Sequence, residues 1–242
     1  MKTCIAALLL LVCGICFSQA RPAGKPGHPA AYPTQGQLRA AIESAATLAS
    51  AERLEVEIVD ARKAGMTQPL LAAKLDLATA TCRIFYNTKP EDGLTQYFET
   101  IAADDLPVLL TAMAVHEVAH CIEYREAYVH KRFDKVLPPG FRSESMTVQG
   151  YMGALKNGRL QTWGEALADI ASVLYLKQAA PEHWLKLAAG VAGMRHELAR
   201  KWPEHDTSPW LYRVIAADAN LPRNQSLFEA AFQQRWRYRP GG

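Results

Sequence analysis

The sequence predicts an α+β domain: a small, mainly antiparallel or mixed sheet early in the chain, then a predominantly helical remainder. Three observations carry this. Strand-like patterns occur only in two short stretches, both before residue 90. From about residue 104 onward, apolar residues recur at helical spacing almost without interruption. After residue 36 there is neither an internal repeat nor a Pro/Gly-rich linker, so residues 37–242 read as one domain. Apolar residues make up 49% of the chain and charged residues 21%, an ordinary globular balance.

Residues 1–20 read as a secretory signal peptide. Lys2 supplies the positive start, Ile5 to Phe17 an apolar run broken only by Gly14, and Ser18-Gln19-Ala20 a small-x-small cleavage site. The run is shorter than the roughly 20 residues of a membrane span. Neither Cys13 nor Cys16 is preceded by the Leu-x-small pattern of a lipid-anchored leader. The expectation is a periplasmic or extracellular protein without stable membrane insertion. Residues 21–36, with prolines at 22, 26, 29 and 33, read as a flexible arm. A helix follows from Gln37 to about Ala51, on the spacing of Leu38, Ala41, Ile42, Ala45, Leu48 and Ala49. Leu54, Val56 and Ile58 alternate with Glu55 and Glu57 as in a half-buried strand, and 81–87 (TCRIFYN) is a second strand, closed by the turn signal KPEDG at 89–93. A long helix capped by Asp104 or Asp105, with Pro107 in its first turn, should run to about Tyr128. Pro138-Pro139-Gly140 breaks the pattern. Further helices are expected at about 144–155, 163–179, 182–201, 208–219 and 226–236, with capping boxes at Thr162…Glu165 and Ser226…Glu229.

Charge and cysteines bound the function. The formal charge of +3 falls to +2 without Lys2, too little to indicate nucleic acid or anionic membranes as partners. The basic RWRYRP at 235–240 reads as a short solvated tail. Loss of the leader removes Cys4, Cys13 and Cys16 and leaves Cys82 and Cys121, either a disulfide or two buried thiols.

The chemistry concentrates at 114–123, AVHEVAHCIE. His116 and His120 stand at i and i+4 on the long helix and can grip one Zn2+ ion, while Glu117 is turned about 100° away. Glu117 therefore suits the role of general base toward a water at the ion. Chance produces HExxH roughly once in 100 chains of this composition, and His196-Glu197-Leu198-Ala199-Arg200 is a near miss that reads as a surface helix face. A third ligand is needed. The pattern HExxHxxGxxH is excluded by Glu123 and Glu126 at its last two positions, and His130 lies about 15 Å further along a straight helix. Gly164-Glu165-Ala166-Leu167-Ala168-Asp169 supplies an alternative: Glu165 as ligand, with Asp169 on the same face accepting the free N–H of a ligating histidine. The competing reading of Glu165 is that it completes the capping box with Thr162.

HEVAH followed by GEALAD resembles the gluzincin branch of zinc metallopeptidases, the group of thermolysin and neprilysin. The resemblance covers the two motif segments and implies a zincin-like fold and a zinc-dependent peptidase acting on peptide or protein substrates. His116, His120 and Glu165 then stand as ligands, Glu117 as catalytic base and Asp169 as the acid holding a ligand histidine. It also implies an oxyanion donor after the glutamate helix, for which His205 is the nearest match and Tyr151 and Tyr212 are weaker ones. An edge strand before the motif helix should bind extended substrate, which points to TCRIFYN and to Arg83, Phe85 and Asn87. Two other functions fit the same residues: hydrolysis of a non-protein amide such as a cell-wall peptide, or a non-catalytic binding module on the same fold.

Overall fold

The computed structural model describes residues 30–67, 69–141, 146–218 and 224–240. The leader, the arm as far as Pro29, and the first two residues of the helix expected at 144–155 lie outside them. The rest of the arm is docked. Ala30 is buried and donates its N–H to Ile101 O (2.9 Å), and Tyr32 meets Phe98 edge-on while its hydroxyl donates to Lys89 O (2.9 Å). Proline here keeps the segment out of a helix without keeping it off the core.

Helix α1 (Gln35–Ala51) starts two residues earlier than its apolar spacing indicates. Thr34 caps it, with Gln37 reciprocating in a capping box. Three strands follow: β1 (Val56–Asp60), β2 (Leu71–Asp76) and β3 (Thr81–Tyr86). The sheet is mixed, ordered β1-β3-β2, with β1 parallel and β2 antiparallel to β3. Strand β2, LAAKLD, lacks the β-branched and aromatic residues that mark a strand, and its pairing with β3 overrides that weak propensity. The KPEDG stretch does not simply close β3; it leads into α2 (Asp92–Glu99).

Helix α3 (Leu106–Tyr128) begins with Pro107 in its first turn. No side chain caps it. Asp105 instead turns to His183 Nδ1 (2.7 Å) and Lys186 Nζ (3.4 Å). By length and composition α3 could cross a membrane, yet it lies at the centre of the core, packed by α1, β2 and α6 (Gln161–Ala179). Cys121 on α3 is bridged to Cys82 on β3, with Cα atoms 5.7 Å apart, which resolves the pair as a disulfide and fixes the sheet face that meets the helix. The remaining helices are α4 (Phe133–Val136), α5 (Val148–Lys156), α7 (Trp184–Leu198), α8 (Ser208–Ala216) and α9 (Leu227–Arg237). Helices α7, α8 and α9 pack on α6. Ser226 caps α9 by accepting Glu229 N–H (3.2 Å). The RWRYRP stretch is not a solvated tail: Arg235 is wholly buried, and Trp210 Nε1–H donates to its carbonyl (3.1 Å).

Candidate metal centre

Packing of α6 along α3 brings together four residues that are at least 45 positions apart in pairs across the two helices. His116 Nε2 and His120 Nε2 lie 3.1 Å apart. Glu165 Oε2 stands 3.6 Å from His116 Nε2, and Glu165 Oε1 3.5 Å from His120 Nε2. His116 Nδ1 lies 2.9 Å from Asp169 Oδ1. The Glu165 carboxylate thus presents one oxygen to each histidine, one ligand atom from each of the three residues lies within 4.8 Å of the other two, and this group could hold a metal ion.

The capping alternative for Glu165 is ruled out locally. Helix α6 already includes Gln161, so Thr162 sits inside its first turn, and its hydroxyl donates to Glu204 O (2.5 Å). Glu165 and Asp169 are both about 2% exposed, which an exposed helix face would not require.

Electrostatics make this group electron-rich. Burial alone would raise the Asp169 pKa, but the Arg195 guanidinium and His116 outweigh it and hold the carboxyl down at about 2. Asp169 is therefore ionised and accepts from His116 Nδ1, which orients the ring so that Nε2 faces His120. Glu165, likewise buried, is held well below the usual carboxylate range by Arg195 and His120. Two imidazole nitrogens and a carboxylate converging at this distance favour positive charge between them. In the metal-free chain a proton serves: burial would lower the His120 pKa, but Glu165, Glu117 and Glu123 raise it to about 9.

Glu117 projects beside the histidines, and among the described residues it makes no hydrogen bond or ion pair. Burial raises its pKa, with His116 and His120 opposing. His205 sits in a short turn (Pro203–His205), Nδ1 3.8 Å from Glu165 Oε2 and Nε2 3.0 Å from Gln161 Nε2. The loop is pinned to α6 by Thr162 and by Thr207, whose hydroxyl donates to Asp169 Oδ2 (2.5 Å). Tyr151 is instead buried against Tyr128 and Phe133, and Tyr212 is exposed on α8.

The expected substrate strand requires correction. Strand β3 is the centre of the sheet, paired on both sides, so its backbone offers no free edge. Its Cys82, Ile84 and Tyr86 face is the buried one, tied to α3 through Cys82, so Arg83 and Phe85 point to the opposite side. Arg83 pairs there with Glu57 (2.7 Å) and Asp76 (3.3 Å). Asn87 is buried, donating to Thr67 O (2.5 Å) and accepting from Lys89 N–H (2.9 Å). These three residues serve the sheet and its loops.

Sequence reasoning overlooked Arg195 on α7. Its Nη2 donates to Glu165 Oε2 (2.9 Å) and Asp169 Oδ1 (2.8 Å), and its Nε lies 2.7 Å from Asp169 Oδ2. The signal was available. Leu187, Ala188, Val191, Ala192 and Leu198 form the buried stripe of α7, and Arg195 is the one charge on it. The neighbouring His196-Glu197 near miss lies on the outer face, where His196 is exposed.

Comparison with protein-family models, curated proteins and solved structures returns no match. What the centre does is therefore argued from its own geometry.

Proposed function

We propose that the chain is an exported zinc hydrolase of gluzincin type acting on peptide bonds. One observation carries the reading. A tetrahedral zinc with bonds of 2.0–2.1 Å holds its ligand atoms about 3.3–3.4 Å from one another; here the two Nε2 atoms are 3.1 Å apart, and the Glu165 carboxylate brings Oε2 to 3.6 Å from the His116 nitrogen and Oε1 to 3.5 Å from the His120 nitrogen. The donor set fits too: two imidazoles and one carboxylate are the ligands of a catalytic zinc that keeps its fourth position open. When bound, the ion would polarise a substrate carbonyl and lower the pKa of a water.

His116, His120 and Glu165 would hold the ion, and Asp169 fixes the His116 ring through Nδ1. The Glu117 carboxylate takes a proton from the attacking water and delivers it to the leaving amine. His205, on the Glu165 side of the cluster, would donate to the oxygen that becomes negative as the carbonyl is attacked. The leader-like residues 1–20 and the Cys82–Cys121 disulfide support export. The direct test is zinc content and peptide hydrolysis of the mature chain beside Glu165→Ala. Loss of both in the variant is expected, and full zinc occupancy in it would overturn the assignment.

A further inference from the structure

Behind the ligand group lies a second buried charge pair that the proposed chemistry does not use. Arg235 on α9 is wholly buried and Glu123 on α3 is 2% exposed. Arg235 Nη1 donates to Glu123 Oε1 (2.6 Å) and to Trp163 O (2.8 Å), and the guanidinium lies over the Trp163 ring at 4.3 Å. Those two partners flank the ligands. Glu123 follows His120 by three residues on one face of α3, and Trp163 precedes Glu165 by two on α6. Glu123 also lines the same small cleft as His120 and Glu165. Between them, Gly164 leaves room for the clasped carboxylate: a Cβ there would stand 3.0 Å from Glu123 Oε2.

We propose that Glu123 and Arg235 form a positioning clasp that sets the distance between the helix of the two histidines and the helix of Glu165. The inference rests on the metal-centre reading. Packing alone does not call for such a pair, since a buried ion pair is commonly replaceable by apolar residues without loss of stability. Arg235 also leaves Nε and Nη2 buried without a partner, so it is poorly satisfied for a residue that serves only packing. What its one well-bonded nitrogen does is join α3 to α6. At 1.5 Å per residue the clasp lies about 4.5 Å along α3 from His120 and about 3 Å along α6 from Glu165. Metal–ligand distances tolerate only about 0.2 Å, so a shift of half an ångström here reaches the ligands at full size.

The test measures Zn2+ dissociation by chelator competition and the visible spectrum of the Co2+-loaded mature chain. Wild type is compared with Gly164→Ala and with the double variant Glu123→Gln/Arg235→Met, which leaves no unpaired buried charge. The clasp predicts Zn2+ binding about tenfold weaker in the double variant and an altered Co2+ spectrum in both, showing changed coordination. Gly164→Ala separates positioning from stability, because alanine is the better helix former. A purely structural role predicts unchanged or higher thermal stability with wild-type metal binding. Wild-type Zn2+ affinity and an unchanged Co2+ spectrum in Gly164→Ala would overturn the clasp; should the double variant fail to fold, this variant decides alone. A wild-type chain that binds neither metal would overturn the metal-centre reading itself.

Discussion

Arg195→Met distinguishes a metal centre from a purely structural ion-pair cluster. The guanidinium is the positive partner of both Glu165 and Asp169, at 2.7–2.9 Å, and all three side chains are nearly inaccessible to water. Removing one partner of such a buried pair costs about 3–5 kcal/mol, because the remaining charges stay desolvated. For a domain of this size each kcal/mol moves Tm by about 2–4 °C, so the metal-free variant should melt roughly 6–20 °C below wild type. A divalent ion beside Glu165 supplies part of the missing charge. Added zinc should therefore raise the Tm of Arg195→Met by more degrees than it raises wild type, provided zinc is saturating for both. The assay is a circular-dichroism melt with EDTA and with excess zinc. An equal zinc-induced rise in the two proteins would refute the reasoning, since the ion would then be remote from the Arg195 carboxylates.

Three further outcomes follow from the same geometry. Glu117→Gln should keep zinc at wild-type occupancy while kcat falls by at least about 100-fold, the scale of lost general-base catalysis; unchanged kcat would remove Glu117 from the chemistry. Replacing Cys82 and Cys121 with serine frees a loop of 39 residues, a loss of about 4 kcal/mol that should appear as a Tm drop of roughly 8–16 °C. In EDTA, stability should fall at both ends of the pH range. The His120 pKa is raised to about 9, so its contribution is complete below its unfolded value of about 6.5 and is lost as pH rises through 9. The Asp169 pKa is lowered to about 2, so its contribution is present above about 3.9 and is lost as pH falls toward 2. A Tm in EDTA that does not fall between pH 6.5 and 9 would contradict the raised His120 value.

Legibility differed by the kind of signal. The helices of the second half carry repeating apolar faces, and their positions were readable to within a few residues, as with α3 and α6. The two histidines and the two acids were legible because each pair lies within one helical turn, where spacing alone sets direction. Arg195 and Arg235 were not, because their partners come from other helices and only tertiary packing brings them together. Arg235 was misread for a physical reason: a basic stretch near a terminus is usually solvated, and here its charge is cancelled by Glu123 more than a hundred residues away. The sheet failed differently. β3 has the composition of a strand, but whether a strand is central or an edge depends on its neighbours, and β2 was invisible to propensity.

The charge of the centre ties these results together. Glu117, Glu165 and Asp169 are three carboxylates facing one guanidinium, so the fully ionised cluster with neutral histidines carries two surplus negative charges in a region nearly closed to water. The metal-free chain relieves this with a proton on His120 up to about pH 9. One divalent cation held by the three ligands would cancel the same surplus and displace the His120 proton. Zinc binding should therefore strengthen about tenfold per pH unit between roughly pH 7 and 9 and level off above, where that proton has already left. A zinc affinity independent of pH between 7 and 9, measured by chelator competition, would show that the His120 proton is not what the ion replaces.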